Sequence, residues 1–126
     1  MDKKIIHEKE IAVIGVSNRE YKFGYKIFRD LIKYGFKVKG VNPTNGQILG
    51  RKIYKSLRDM DSVPDLVITV VPHQVTERVV DECREMGVRE IWMQPGSESE
   101  LAIQKASKYG ITVTANSCFM VEIGIW

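Results

Sequence analysis

The 126-residue sequence is poor in the residue types that build metal sites and acid–base catalytic centres. It contains two cysteines and two histidines, which are Cys83, Cys118, His7 and His73. The cysteines fall in different predicted elements without metal-type spacing, and a zinc site needs more ligands than these four residues easily supply. The two distant histidines form no convincing acid–base constellation. The sequence predicts no metal site and favours a binding protein over an enzyme, while leaving that question open.

Long apolar runs and long basic runs are missing as well. The longest uncharged apolar run, residues 66–71, is far too short to cross a bilayer. The first ten residues contain no apolar core and no small-residue cleavage site, so no signal peptide is visible. The net charge of +3 suits a small anionic ligand, and no basic run with interleaved aromatics indicates nucleic acid. We expect a cytoplasmic protein without a membrane or nucleic-acid partner.

Apolar segments alternate along the chain with helical patterns. Five segments are predicted as strands, at residues 11–16, 37–41, 66–71, 91–93 and 111–115. Three helices are predicted between them: one ending at Gly35, one ending at Gly87, and one running from a capping box at Ser97 to Gly110. The irregular segment 44–60 is predicted as a loop with a short helix at 56–59. Because each crossover can hold a helix, the order predicts an α/β fold in one domain, residues 1–126: a doubly wound, mainly parallel five-stranded sheet with helices on both faces.

Ligands of such sheets bind beyond the carboxyl ends of the strands, so the loops there are the candidate site. After the first strand, Gly15 allows a tight turn, Ser17 offers a hydroxyl group, and a helix opens near Gly24. Arg19 and Lys22 add positive charge to the same loop. A helix N-terminus with free N–H groups favours a phosphate. The spacing of the two glycines does not match the dinucleotide motif G-x-G-x-x-G.

The loops after the next strands refine the ligand. An NAD site expects an acidic residue after the second strand, where this chain has Asn42-Pro43. Lys39 in that strand suits an additional phosphate instead. After the third strand, Pro72 is expected to bend the chain over the cleft, and His73 could donate to a ligand. These features count against NAD, although the lysines could tolerate NADP.

Together the segments resemble the small bacterial and archaeal CoA-binding proteins, and also the CoA-binding N-terminal domain of the succinyl-CoA synthetase α subunit. The resemblance covers residues 11–122, and its carriers are IAVIGVSNREYKFGYKIFRDL, GFKVKGVNP, GRKIYKSLRDM, DLVITVVP, GVREIWMQPG and CFMVE. It implies a Rossmann-like fold and coenzyme A as the ligand. It further implies that Gly15, Val16, Ser17 and Asn18 wrap the diphosphate. The adenosine end would face Lys22 and Asn42-Pro43; Val71, Pro72 and His73 would line the adenine or pantetheine path; Gln94, Pro95 and Gly96 would border the thiol.

The sequence therefore predicts a protein that binds CoA or acyl-CoA and has no evident catalytic residues of its own. Two alternatives stay open: an NADP-dependent oxidoreductase or redox sensor, and the CoA-binding subunit of a split acyl-CoA synthetase. The apolar segment Ile123–Trp126 is predicted to pack against the body of the protein or against a second copy. Cys118 follows the fifth strand, near the expected thiol end of the ligand.

Overall fold

The chain forms a mostly parallel sheet flanked by helices. A computed structural model describes residues 3–126, so the first two residues of the predicted domain lie outside the described part. The strands are β1 Glu10–Ile14, β2 Lys37–Val41, β3 Gln47–Ile48, β4 Arg51–Tyr54, β5 Leu66–Thr69, β6 Glu90–Met93 and β7 Thr112–Thr114. The helices are α1 Lys3–Glu8, α2 Phe23–Lys33, α3 His73–Met86, α4 Glu100–Lys108 and α5 Phe119–Glu122, with a short 3-10 helix at Leu57–Asp59. None of the helices in this described part is long and apolar enough to cross a membrane.

The sheet has the order β3-β4-β2-β1-β5-β6-β7, and every pair is parallel except β3 with β4. The chain moves outward in one direction from β1 to β2 and then in the other direction through β5, β6 and β7. The switch point therefore lies between β1 and its neighbours, where the loops after β1, β2 and β5 meet at one edge. The predicted doubly wound α/β fold is confirmed, and all five predicted strands are present.

Strand β1 separates two apolar cores because successive side chains of a strand point to opposite faces. Ile11 and Val13 pack with α2 and α5 on one face, whereas Ala12 and Ile14 pack with α3 and α4 on the other. Helix α2 buries a stripe at helical spacing, Ile27, Phe28 and Leu31, all without solvent exposure. Full burial of one such side chain contributes about 2 kcal/mol. The helices predicted on both faces therefore cover the two faces of the sheet.

The segment 44–60 is more regular than predicted. Instead of a loop it forms β3 and β4, an antiparallel hairpin in which Leu49 and Gly50 both have positive φ angles, of 53° and 74°. β4 then pairs with β2 and extends the sheet to seven strands. The short helix predicted at 56–59 is present as the 3-10 turn. Strands of two and four residues are too short to show a clear period of two, which explains why the hairpin was not predicted.

The third predicted helix begins later than expected. Its cap is Ser99, whose hydroxyl oxygen accepts a hydrogen bond from the Ala102 N–H at 3.0 Å. The helix starts at Glu100, and the buried Ser97 hydroxyl instead lies 3.0 Å from the Thr69 carbonyl oxygen and 2.7 Å from the Gln94 carbonyl oxygen. The capping box placed at Ser97 is therefore wrong by two residues. Ser97 instead ties the loop after β6 to the end of β5.

Candidate functional site

The turn after β1 is built around two glycines that contact each other. Gly15 has a φ of 104°, and its N–H donates to the Val41 carbonyl oxygen at 2.9 Å. A Cβ atom on Gly15 would overlap the Val70 carbonyl group, and a Cβ atom on Gly24 would overlap the Gly15 carbonyl oxygen. Only glycine fits at either position. The first turn of α2 consequently lies directly against the end of β1.

The loop between the two glycines presents donors and positive charge. The Ser17 hydroxyl oxygen accepts from the Arg19 N–H at 3.1 Å, and the Lys22 N–H donates to the Arg19 carbonyl oxygen at 3.0 Å. Helix α2 starts at Phe23, with Lys22 as its N-terminal flanking residue. The first N–H groups of a helix have no partner inside it and carry a partial positive charge. Together with the exposed Arg19 and Lys22, they make this loop favourable for a phosphate group.

Asn42, at the end of β2, holds the neighbouring loop in place. Its side-chain Nδ2 donates to the Val16 carbonyl oxygen at 3.0 Å, and its Oδ1 accepts from the Thr44 hydroxyl group at 2.8 Å. Its backbone N–H donates to the Tyr54 carbonyl oxygen at 2.9 Å. One side chain thus joins the loops that follow β1 and β2. An aspartate in its place could not donate to the Val16 carbonyl oxygen.

The loops enclose a cleft of about 670 Å³ at the carboxyl edge of the sheet. It is polar toward β2 and lined by the turn after β1, by the start of α2, by the hairpin loop and by the end of β5. Most of the sequence-predicted residues line it: Gly15, Val16, Ser17, Asn18, Arg19, Lys22, Gly24, Asn42, Pro43, Val71 and Pro72. The structure therefore brings the larger part of the candidate site together in one place.

Three predicted residues, Lys39, His73 and Gly96, line neither this cleft nor the smaller apolar space beside it. The ammonium group of Lys39 is 2.8 Å from a carboxylate oxygen of Asp61, and that hydrogen bond raises the pKa of Lys39. His73 is the first residue of α3, exposed, with its Nδ1 atom 3.4 Å from a Glu77 carboxylate oxygen. Gly96 lines neither space, and its N–H donates to a Glu98 carboxylate oxygen at 2.8 Å. Lys39 is thus a surface ion-pair residue in this fold, and the cleft takes its positive charge from the loop after β1.

A smaller apolar space of about 160 Å³, which we call the chamber, adjoins the cleft and shares Phe23 and Val70 with it. The chamber lies beyond β5, β6 and β7. It is lined by Phe23, Ile27, Val70, Gln94, Pro95, Cys118 and Trp126. The predicted residues Gln94 and Pro95 belong here, next to Cys118 as expected from the sheet order.

Several lining residues were not predicted from the sequence. They are Tyr21, Phe23, Thr44, Asn45, Gln47, Ile48 and Val70 in the cleft, and Ile27 and Trp126 in the chamber. Phe23 stands directly before the helix-opening Gly24, within the loop that the sheet order marks as part of the site. Thr44 and Asn45 likewise lie in the loop after the second strand, whereas Gln47 and Ile48 belong to the hairpin, which shows no recognisable period.

Two further features of the described structure lie away from this site, a buried thiol and a charged surface depression. Desolvation raises the pKa of the buried Cys83 thiol to about 12. A surface depression of about 780 Å³ between the 3-10 helix and α3 is lined by three arginines and three acids. Arg58 there is 2.8 Å from a Glu85 carboxylate oxygen and 3.9 Å from a Glu82 carboxylate oxygen, so its charge is already paired. Residues 3–126 contain no group of three His, Cys, Asp or Glu side chains able to hold a metal ion.

Parallel sheets with a glycine turn and a helix N-terminus at their carboxyl edge form a class of α/β domains that commonly bind phosphate-bearing ligands at that edge. Comparison with known proteins specifies the class further. Residues 9–124 match the family model described as the CoA binding domain. The chain belongs to this CoA-binding family.

Its relatives include both short and long proteins. The chain is 34% identical over 119 residues to the acetate–CoA ligase [ADP-forming] II subunit alpha of Pyrococcus furiosus, covering 86% of this chain and 26% of that subunit. It is 30% identical over 113 residues to the uncharacterized protein YneT of Bacillus subtilis, covering 90% of this chain and 84% of that protein. A solved structure of a conserved hypothetical protein from Pyrococcus furiosus superposes with a TM-score of 0.87 at 38% identity, covering 90% of this chain and 98% of the other.

Proposed function

We propose that this domain binds CoA or an acyl-CoA across the cleft and the chamber, and that residues 1–126 act as one binding unit in the cytoplasm. The diphosphate lies on the turn of Gly15 to Asn18 and on the first N–H groups of α2. The adenosine end extends over the loop after β2, and the pantetheine arm passes Val70 toward Gln94 and Cys118. One observation carries the proposal: a chain of the CoA-binding family assembles the glycine turn, the helix start and two cations in one cleft.

Charge and size support this arrangement. Arg19 and Lys22 both line the cleft, and their side chains are exposed, so each can reach a phosphate group at the rim. The cleft of about 670 Å³ is in the range typical of small-molecule and cofactor sites. The Asn42 amide that fixes the loop after β2 stands where an NAD site would place an acidic residue. These features favour CoA, with its additional 3′-phosphate, over NAD.

The proposed role is binding rather than chemistry. The cleft contains a serine, two cations and amide groups, and the described residues that line it include neither a histidine nor a carboxylate. Such groups can position an anion but supply no obvious general base. The domain would therefore hold CoA for storage, delivery or sensing.

Calorimetry with CoA, dephospho-CoA, NAD and NADP tests the ligand. We expect CoA to bind more tightly than NAD, and dephospho-CoA to bind more weakly than CoA because the 3′-phosphate contact is lost. Mass spectrometry of ligand retained through purification provides an independent identification. If NAD or NADP bound as well as CoA, the assignment would be wrong and the oxidoreductase alternative would replace it.

A second function is favoured by one comparison. The relative from Pyrococcus furiosus is named as a ligase subunit, and the present chain spans about a quarter of it. This chain would then contribute CoA binding to a split acyl-CoA synthetase, and its partner chains would contribute the catalytic groups. Reconstitution with candidate partner subunits tests this idea: ADP-forming acyl-CoA ligase activity that requires both chains supports it, and a lack of any association contradicts it.

A further inference from the structure

The chamber differs in chemistry from the cleft beside it. Phe23, Ile27, Val70, Pro95 and Trp126 give it a mostly apolar lining, whereas the cleft carries exposed polar and cationic side chains. A CoA thiol alone is small and weakly polar, and it needs no such space. The lining suits an apolar group carried beyond the thiol.

The polar groups of the chamber are already bonded to the protein. Gln94 is 5% exposed; its Oε1 accepts from the Phe119 N–H at 2.6 Å, and its Nε2 lies 3.3 Å from the Cys118 sulfur atom. A group entering the chamber meets the amide of Gln94 with both ends engaged. Any group that enters therefore gains few hydrogen bonds. An apolar group made none in water and loses nothing, whereas a charged group loses its hydration.

One side of the chamber is closed by an anchored aromatic ring. The Trp126 Nε1–H group donates to an Asp30 carboxylate oxygen at 2.7 Å, and its backbone N–H donates to the Met120 carbonyl oxygen at 3.2 Å. Its ring centroid lies 6.1 Å from that of Phe23. Trp126 keeps 41% of its surface exposed, so its indole can be removed without opening the main core.

We propose that the chamber is an acyl subsite, which holds a short apolar acyl group carried on the CoA sulfur and is closed by Trp126. The inference rests on the proposed CoA site, because the pantetheine arm must first bring the thioester past Val70. The volume of about 160 Å³ limits the group to a short chain. The apolar lining disfavours an acyl group that carries a free carboxylate.

Calorimetry with CoA, acetyl-CoA, butyryl-CoA and succinyl-CoA tests this proposal on wild type and on Trp126→Ala. Burial of one methylene group raises affinity about fourfold, so butyryl-CoA should bind about tenfold more tightly than CoA once incomplete burial is allowed for. Succinyl-CoA, of similar length but charged, should bind no more tightly than CoA. Trp126→Ala should reduce the butyryl advantage, measured against the affinity of the same variant for CoA, to about twofold. Val121→Ala, an exposed apolar residue outside the chamber, is the matched control and should keep the full advantage.

The outcomes separate this inference from the function on which it rests. If CoA binds wild type but butyryl-CoA binds no better, the acyl subsite is wrong and the CoA site stands. The acyl subsite is equally wrong if the butyryl advantage survives in Trp126→Ala, or if succinyl-CoA gains as much as butyryl-CoA. If neither CoA nor any acyl-CoA binds, the proposed function fails and the acyl subsite fails with it.

Discussion

Replacing Gly24 with alanine sets two effects of known size against each other. In a helix interior, alanine is more favourable than glycine by about 1 kcal/mol. Gly24 lies in the first turn of α2, so this value is the upper limit of what propensity alone would add to stability. The added Cβ atom, however, would overlap the carbonyl oxygen of Gly15. That oxygen belongs to a turn fixed on one side by the Gly15 N–H bond to Val41 and confined on the other by the Val70 carbonyl group. The start of α2 must therefore move away.

Overpacking of this kind costs about 1–3 kcal/mol, and contact with a fixed backbone belongs at the upper end. After subtraction of the propensity gain, Gly24→Ala should lower the free energy of unfolding by about 2 kcal/mol. It should also weaken CoA binding at least tenfold, because the N–H groups of α2 shift relative to the turn. Urea denaturation and calorimetry on the folded fraction measure the two effects.

Gly35→Ala is the matched control at the other end of the same helix. A Cβ atom there meets nothing within 4 Å, and the cost is only that of its positive φ, about 1 kcal/mol. Affinity for CoA should not change in this variant. A Gly24→Ala protein that is more stable than wild type, or that binds CoA normally, would refute the close contact between α2 and the turn as the basis of the site.

Four further outcomes are expected. Ser17→Ala should weaken CoA binding by about 1 kcal/mol, measured by calorimetry, because one ordinary hydrogen bond is lost. Lys22→Ala should lower CoA affinity more at low salt than at high salt, since an exposed charge is screened by salt. If CoA affinity changed in neither of these two variants, the ligand would bind elsewhere. Thiol–disulfide exchange with the disulfide of CoA releases one CoA thiol and leaves one CoA bound to a protein cysteine. By intact mass, any such adduct should be on Cys118 and should disappear in Cys118→Ser. No adduct should form on Cys83, whose pKa is raised to about 12. The pKa of Asp30 is lowered, chiefly by the hydrogen bond from the Arg29 guanidinium. The stabilisation that the Asp30 carboxylate gives to the fold is therefore present above the ordinary carboxyl pKa and is lost as the pH falls through the lowered value. By urea denaturation, Asp30→Asn should be about 1 kcal/mol less stable than wild type at neutral pH and equal to it in strong acid.

Most of the fold could be predicted from the sequence because the strongest patterns, apolar runs and helical stripes, are local. The buried strands are continuous apolar runs, and α2 shows its buried stripe at Ile27 and Leu31 with a glycine at its end. The β3–β4 hairpin could not be predicted, since strands of two and four residues stabilised by pairing with β2 leave no period to detect. The start of α4 was misplaced because Ser97 and Ser99 look alike in sequence. Only the tertiary contacts of Ser97 with Thr69 distinguish them.

The candidate site was predictable to the extent that topology dictates it. Loops after parallel strands must meet at one edge, so Gly15, Asn42 and Pro72 were found together. Side-chain direction was not predictable in the same way. Lys39 belongs to a strand beside the site, yet its side chain pairs with Asp61. Trp126 lines the chamber while its indole N–H is bonded to Asp30, 96 residues away in sequence.

The two outermost strands of the sheet have a consequence for how copies of this chain can associate. β3 has two residues and β7 has three, and the hairpin that carries β3 adds the cations Arg51 and Lys52 beside it. A second molecule can add itself to a sheet only along a row of unpaired backbone groups, and edge strands of two and three residues present few of them. We therefore expect any assembly of this domain to form through its helices and loops. Polymerisation by strand addition would have only two or three residues of edge on which to start.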